Sequence, residues 1–189
     1  MQQSGEYRIG APIDAVWRAL NDPDVLARSI DGCQSLERVG EDAFKATVKA
    51  KVGPLSATFA GDVKLADLNP PHSYTLEARA KGGAAGFGKG TAKVSLGEDG
   101  GSTVLRYEVE GSVGGKLAQI GQRLIDGAAR KMADDFFAAF GEIVAPGASQ
   151  KTPAAAAEEP AARRSPSVIW LVVAAGVAFA AIAALLLAR

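Results

Sequence analysis

The chain has 189 residues, of which 48% are hydrophobic but only 6% are aromatic. Its 21 basic side chains are balanced by 21 acidic ones, which argues against a nucleic-acid-binding protein, because such proteins usually carry a strong net positive charge. The single cysteine excludes an intrachain disulfide, and together with the single histidine it cannot form the usual zinc site.

The apolar pattern of the first 146 positions predicts an α+β domain. A short alternating strand carries Tyr7 and Ile9, and Pro12 then opens an amphipathic helix that ends near Pro23. A second short helix follows and stops near Gly32. Beyond it the apolar period changes from 3.6 to 2, which predicts strands at 36–39, 44–52, 55–68, 74–81, 88–96 and 103–113.

The last element of this domain is predicted to be one long amphipathic helix over residues 116–144. An antiparallel sheet must bury one face, and this helix supplies the cover. The side chains expected to face the sheet are Leu117, Ile120, Leu124, Ala128, Met132, Phe136, Phe140 and Ile143, and those expected on the exposed face are Gln119, Gln122, Arg123, Asp126, Arg130 and Lys131.

Two further segments follow the domain, which we place at residues 1–146. Residues 147–167 are rich in proline and alanine and have no apolar periodicity, which indicates a flexible linker. Residues 168–188 are 21 consecutive residues without a charge, a hydroxyl or an amide. A helix of that length measures about 31 Å, close to the roughly 30 Å hydrocarbon core of a bilayer, so we expect a single transmembrane anchor.

The charges beside the predicted anchor indicate its orientation. Arg163 and Arg164 lie on the domain side, whereas Arg189 alone lies beyond it. The positive-inside rule therefore predicts that the domain is cytoplasmic. We expect a single-pass protein of the cell inner membrane with a C-terminal anchor.

Many inward positions of the predicted strands are alanine or glycine. A curved sheet with such a lining leaves space beneath a helix unless large residues fill it, and small-molecule pockets are apolar clefts with few polar groups. The lining therefore favours an apolar cavity, although small residues also let a helix approach a sheet closely, and both interpretations stay open. The candidate lining residues are Phe59, Leu76, Phe87, Tyr107, Ile120, Leu124, Ala128, Met132 and Phe136, with Phe87 as a lid.

Two stretches of the sequence resemble a known family. They are APIDAVWRALNDPDVLARSIDGCQSLE at residues 11–37 and GKLAQIGQRLIDGAARKMADDFFAAF at residues 115–140. Together with the strands between them they look like the G-subunit family of carbon monoxide dehydrogenase, which belongs to the START-like, polyketide cyclase-like superfamily (SRPBCC). The resemblance covers essentially all of residues 1–146 and departs at Asp31, where we expect proline. It implies the helix-grip fold, an antiparallel curved sheet wrapped on a long C-terminal helix.

The resemblance also implies a function. It indicates a non-catalytic accessory protein of a molybdenum hydroxylase of the carbon monoxide dehydrogenase type, which recruits that enzyme to the membrane. The cavity suits a quinone, whose long isoprenoid tail and small polar head reside in the bilayer. We therefore expect the molybdenum hydroxylase, membrane lipid and quinone as partners, with no nucleic acid, no metal, no covalently bound cofactor and no catalytic residue.

Two other functions stay open. A cyclase or dehydratase of the same superfamily would use Tyr74, Tyr107 or His72 as an acid or base and would need polar groups converging inside the cavity. A pure membrane-recruitment adaptor would instead have a filled core. In addition, the outward-facing lysines, which are Lys45, Lys49, Lys51 and Lys64, could contact anionic lipid or an acidic partner, although a solvated face is the default interpretation.

Overall fold

The computed structural model describes residues 2–147, and the predicted linker beyond Gly147 and the predicted anchor at 168–188 lie outside the described residues. None of the helices within 2–147 is both long and apolar enough to cross a membrane. The elements in chain order are β1 (Gln2–Ile9), α1 (Ile13–Leu20), α2 (Pro23–Ser29), β2 (Cys33–Arg38), β3 (Ala43–Val52), β4 (Leu55–Asn69), β5 (Ser73–Lys81), β6 (Phe87–Asp99), β7 (Ser102–Gly114), α3 (Lys116–Gln119) and α4 (Gln122–Val144).

The strands of residues 2–147 form one antiparallel sheet in the order β1-β7-β6-β5-β4-β3-β2. Side chains alternate across it, so that Lys49 and Lys51 are exposed while their neighbours in β3 are buried. The buried set of β3 is Phe44, Ala46, Val48, Ala50 and Val52, and the exposed positions of Lys45, Lys49 and Lys51 confirm that these lysines face outward as predicted.

Of the two short helices between β1 and β2, only α1 begins as the sequence predicts, because Pro23, expected near the end of the first helix, instead opens the second. Pro12 precedes α1, and the Asp22 carboxylate caps α2 by accepting the backbone N–H of Asp24 at 2.9 Å, with Pro23 as the first helical residue. A buried hydrogen bond from the Thr103 hydroxyl to the Ala11 carbonyl, 2.7 Å long, ties the start of α1 to β7. Both helices pack against α4 at one end of the sheet.

The long helix α4 covers the concave face of the sheet. Its buried side chains include Ile125, Ala129, Phe136 and Phe140, which join the strand side chains in one apolar core. Burying this face removes a large apolar area from water, which is the main driving force for the fold. A curved antiparallel sheet gripping a C-terminal helix is the helix-grip arrangement that the resemblance implied, so this prediction is confirmed.

The prediction of one continuous helix over 116–144 is wrong. The helical segment α3 ends at Gln119, and α4 begins at Gln122 after Gly121, whose φ is +92° and ψ is 143°. Glycine alone adopts this backbone region without strain, because any side chain would collide with the backbone. Gly121 therefore separates α3 from α4, and the side chains of α4 do not continue the angular positions that α3 would predict.

The predicted exposed and buried faces of the first half of α4 are also wrong at two positions. Leu124, expected to face the sheet, is 49% exposed, whereas Asp126, expected in solvent, is fully buried. The set predicted to face the sheet is obtained by stepping back from Phe136 four residues at a time. Each such step moves the side chain about 40° around the helix axis. Three steps carry Leu124 about 120° away from Phe136, while Ile125 lies only about 20° from it and is buried.

The buried Asp126 is the least satisfied polar side chain on α4. Its Oδ1 accepts a 2.7 Å hydrogen bond from Nε2 of Gln122, whereas its Oδ2 has no hydrogen-bond partner within residues 2–147. Burial raises the pKa of this carboxyl, and the Gln122 hydrogen bond and the Arg130 charge only partly oppose that effect. Asp126 is therefore held in the core at a cost to stability when it is ionised.

Because the helix is broken before α4, we expect glycine-to-alanine substitutions at two exposed positions, Gly121 and Gly127, to change the free energy of unfolding in opposite directions. A Cβ at Gly121 or at Gly127 meets nothing within 4 Å, so only the backbone distinguishes them. Gly121→Ala should lower the free energy of unfolding by about 1–3 kcal/mol because its φ is positive, whereas Gly127→Ala inside α4 should raise it by about 0.8 kcal/mol. Chemical denaturation measures both. Stabilisation by Gly121→Ala would instead support a continuous helix.

Because the Asp126 carboxyl is buried, we expect Asp126→Asn to increase stability by an amount that depends on pH. Above about pH 4, the ordinary pKa of an aspartate, the folded state binds more protons at Asp126 than the unfolded state, so its contribution to stability falls as the pH rises. The variant lacks this loss, and its melting temperature should exceed that of the unsubstituted protein at neutral pH, with a difference that shrinks toward pH 4. Glu142→Gln, at an exposed position on α4, is the control. A difference independent of pH would contradict the prediction.

Candidate functional site

A groove of about 460 Å³ opens between α4, β3 and the loop that follows α2. Its floor is apolar, and charged side chains surround its opening. The floor is formed by Ile30, Ala50, Ala128, Met132 and Phe136, Leu124 lies at the lip, and the charged side chains are Asp31, Lys49, Lys51, Arg123, Lys131 and Asp135.

The loop after α2 forms one wall of the groove because Gly32 holds it against β3. The Gly32 carbonyl accepts the backbone N–H of Lys49 at 2.9 Å, and a Cβ at Gly32 would overlap the Lys49 carbonyl oxygen. Gly32 also has a φ of +75°, which favours glycine. This close contact brings Ile30 and Asp31 to the groove.

A second, enclosed space lies deeper in the core. It measures about 50 Å³, and it shares Ile30 and Phe136 with the groove. This space is much smaller than the groove. The two shared side chains separate it from the groove. Its other lining residues are Leu20, Leu26, Leu36, Phe44, Val63, Leu65, Tyr74 and Leu76.

The structure brings five of the nine predicted lining residues to these two spaces. Leu124, Ala128 and Met132 line the groove, Leu76 lines the enclosed space, and Phe136 lines both. Sequence reasoning missed the contribution of the loop after α2 and of the basic side chains of β3. The local sequence signals a turn at residues 31–32, but it carries no information on which strand the turn contacts.

The other four predicted residues lie elsewhere. Phe59 is buried against Gly82, Tyr107 is buried in an aromatic stack, and Ile120 is half-buried between α3 and α4. Phe87, predicted to be a lid, is 48% exposed and belongs to the outward-facing set of β6, with its ring against Gly114. The structure therefore places Phe87 on the outer face of the sheet rather than at a cavity mouth.

A polar and aromatic cluster joins the second half of α4 to β1. The Tyr7 hydroxyl donates a 2.9 Å hydrogen bond to Oδ1 of Asp134, and the Tyr7 ring stacks on Phe137 with 4.1 Å between centroids. The Tyr107 ring lies 5.9 Å from Phe137 on the same stack. Burial raises the pKa of both phenols, which therefore stay protonated at neutral pH. The cluster positions α4 on the sheet.

The three acid–base candidates of the enzyme alternative have three different environments. Tyr74 is buried edge-on to Trp17 at 5.5 Å, and burial raises the pKa of its phenol. Tyr107 lies two strands away in the same cross-strand row, about 10 Å from Tyr74. His72 is exposed in the turn between β4 and β5.

The described residues offer no alternative reactive centre of the usual kinds. Within 2–147, no group of histidine, cysteine, aspartate and glutamate side chains could hold a metal ion. Cys33 is half-buried, and burial raises the pKa of its thiol, which favours the unreactive protonated form. Four of the nine predicted lining residues line the groove beside α4, which is therefore the candidate functional site.

Comparison with known proteins identifies the family. The family model of CoxG, the G subunit of carbon monoxide dehydrogenase, matches residues 5–145. The crystal structure of a conserved protein from Geobacillus kaustophilus superposes with a TM-score of 0.72 at 32% identity and covers 77% of this chain and 95% of its own. A search of curated proteins gave no match.

More distant solved structures share the fold alone. A protein of Chromobacterium violaceum has 17% identity and a TM-score of 0.57, covering 77% of this chain and 97% of its own. A protein of Thermus thermophilus has 16% identity and a TM-score of 0.58, covering 79% of this chain and 100% of its own. The family match over most of the chain, with the 32% identical Geobacillus structure, shows that this chain belongs to the CoxG family of carbon monoxide dehydrogenase.

Proposed function

We propose that this chain is a membrane-tethered accessory protein of a carbon monoxide dehydrogenase-type molybdenum hydroxylase. In this proposal it binds a quinone in the groove beside α4 and recruits the enzyme to the membrane for electron transfer. The family supports the accessory role. The observation that supports a bound quinone is the groove of about 460 Å³, whose floor is apolar.

The size of the groove supports a lipophilic small molecule. Ligand pockets commonly measure about 300–1,000 Å³ and are lined mainly by apolar side chains. The groove falls in this range, and a rotation of Phe136 would join it to the enclosed apolar space of about 50 Å³. The ring and the first isoprene units of a quinone then lie on the floor, with the rest of the tail leaving through the open side.

The charges around the groove suit the polar part of the same ligand. The carbonyl oxygens of an oxidised quinone only accept hydrogen bonds, and lysine and arginine only donate them. Lys49, Lys51 and Arg123 stand around the apolar floor and can supply such donors. The proposed head group therefore lies near the opening of the groove.

The proposed role is non-catalytic. Chemistry of the cyclase or dehydratase type needs acid and base groups that face one reacting centre. Tyr74 and Tyr107 are instead held protonated in separate parts of the core, and His72 is exposed in a turn. The membrane tether in this proposal rests on the apolar segment at 168–188 and on the proline-rich segment before it.

Filling the groove should abolish ligand binding. Ala128 is half-buried in the groove floor, whereas Ala138 is exposed on the same helix. Ala128→Phe should lower the amount of quinone that copurifies with the protein from membranes at least tenfold, because the added ring occupies the floor; Ala138→Phe should leave it unchanged. Organic extraction and mass spectrometry measure the quinone. Its repeated absence from the unsubstituted protein would favour the pure adaptor instead.

The recruitment role is separable from ligand binding. Deletion of residues 168–189 should move the partner molybdenum hydroxylase from the membrane fraction to the soluble fraction, because the deletion removes the proposed anchor. Cell fractionation followed by an activity assay of the partner enzyme measures this shift. The control is the full-length Ala138→Phe variant, which should leave the distribution unaltered. A membrane fraction that keeps its enzyme after the deletion would contradict recruitment by this chain.

A further inference from the structure

We propose that one edge of the groove is a docking surface for an anionic lipid bilayer, so that the groove opens directly against the membrane. This docking surface consists of Lys49, Lys51, Gly53, Arg123 and Leu124. The inference deepens the proposed function, on which it rests, because it names the membrane face through which a bilayer-resident ligand would pass.

The docking surface places an exposed apolar side chain among cations. Leu124 is 49% exposed, an unusual position for a leucine next to an apolar groove, and its side chain lies against Gly53 in the tight turn between β3 and β4. Arg123 precedes it on α4, and Lys49 and Lys51, which belong to the exposed set of β3, line the same edge of the groove. Two separate elements therefore contribute cations to this surface, and α4 adds the exposed leucine.

The cations of this surface are available to an external partner. Lys49, Lys51 and Arg123 form no ion pair with any residue of 2–147, whereas the nearby Lys131 is paired with Asp135. Residues 1–146 carry 17 basic and 19 acidic side chains, a net charge of −2, so attraction to an anion must come from a local patch. An unpaired positive patch on a slightly acidic domain is complementary to an anionic surface.

A bilayer matches this surface better than an acidic protein does. Unpaired cations alone would suit either partner, but the exposed leucine at the lip of an open apolar groove also requires an apolar environment. Peripheral membrane surfaces combine these two properties, with basic residues at the lipid head groups and apolar side chains at the acyl boundary. Docking at Leu124 would remove both its side chain and the groove opening from water.

The length of the chain permits this orientation. From Leu124 to the end of α4 the helix rises about 30 Å, so the C-terminus of the domain lies well away from the docking surface. The predicted anchor begins 21 residues after Gly147. A segment of that length reaches about 65 Å when extended, so an anchored domain can turn this surface toward the membrane.

Vesicle binding of residues 1–147, which lack the predicted anchor, tests the inference. A domain of this extent folds alone, since the match covers 95% of the Geobacillus chain that was crystallised. The protein should cofloat with quinone-free vesicles of phosphatidylcholine and phosphatidylglycerol, but not with phosphatidylcholine alone, and high ionic strength should weaken the binding. Because one basic residue near the surface contributes about fivefold, and glutamate adds repulsion, the combined variant Lys49→Glu, Lys51→Glu, Arg123→Glu should lose at least about 100-fold in partitioning.

Matched variants separate the docking surface from general charge. Lys81→Glu, Lys89→Glu and Lys93→Glu together change the charge equally at exposed positions of β5 and β6, and they should reduce binding much less. Leu124→Ala should lower partitioning severalfold without changing the charge. Equal losses in both triple variants, or no binding of the unsubstituted protein to anionic vesicles, would overturn the inference.

A separate readout keeps this test independent of the ligand. Quinone binding from detergent, measured on the same unsubstituted protein, reports the groove without any bilayer. Quinone binding without vesicle binding would overturn the docking surface alone. Vesicle binding without quinone binding would overturn the proposed ligand and leave the docking surface supported.

Discussion

The contact between α4 and the concave face of the sheet is the interaction on which the other features of this structure depend. An antiparallel sheet with one apolar face is unstable in water until that face is covered. The second half of α4 is held firmly, because Phe136 and Phe140 are buried in the core, and Tyr7 both stacks on Phe137 and donates to Asp134. The position of the helix along and across the sheet follows from these contacts.

The groove is a geometric consequence of that arrangement. Adjacent strands are about 4.8 Å apart, so the sheet is roughly 30 Å wide, whereas a helix with its side chains is only about 10 Å in diameter. The short helices α1 and α2 cover one end, and curvature brings the strands closer to α4, but the side next to β3 stays open. An apolar floor is exposed there because the cover is narrower than the face that it covers.

The proposed function follows from the kinds of molecule that match the side chains of this groove. The solved structures below 25% identity share this fold and therefore say nothing about its ligand. The specific information lies in the side chains at the groove, where an apolar floor meets Lys49, Lys51 and Arg123. A lipophilic molecule with a small acceptor head and a membrane with anionic head groups both match this combination. The family links the chain to carbon monoxide dehydrogenase.

The sequence by itself determined the order of the elements, the inward faces of strands such as β3 and the family. Strand faces are local, because a period of 2 leaves no doubt about which side each residue occupies. Only the tertiary structure decided that Gly121 breaks the last helix, that Leu124 is exposed and Asp126 buried, and that the loop at Gly32 contacts Lys49. The predicted face of a helix accumulates an angular error with each turn. A contact between residues that are distant in the chain depends on the packing of the whole domain. A local sequence pattern therefore gives neither the exact helix face nor such contacts.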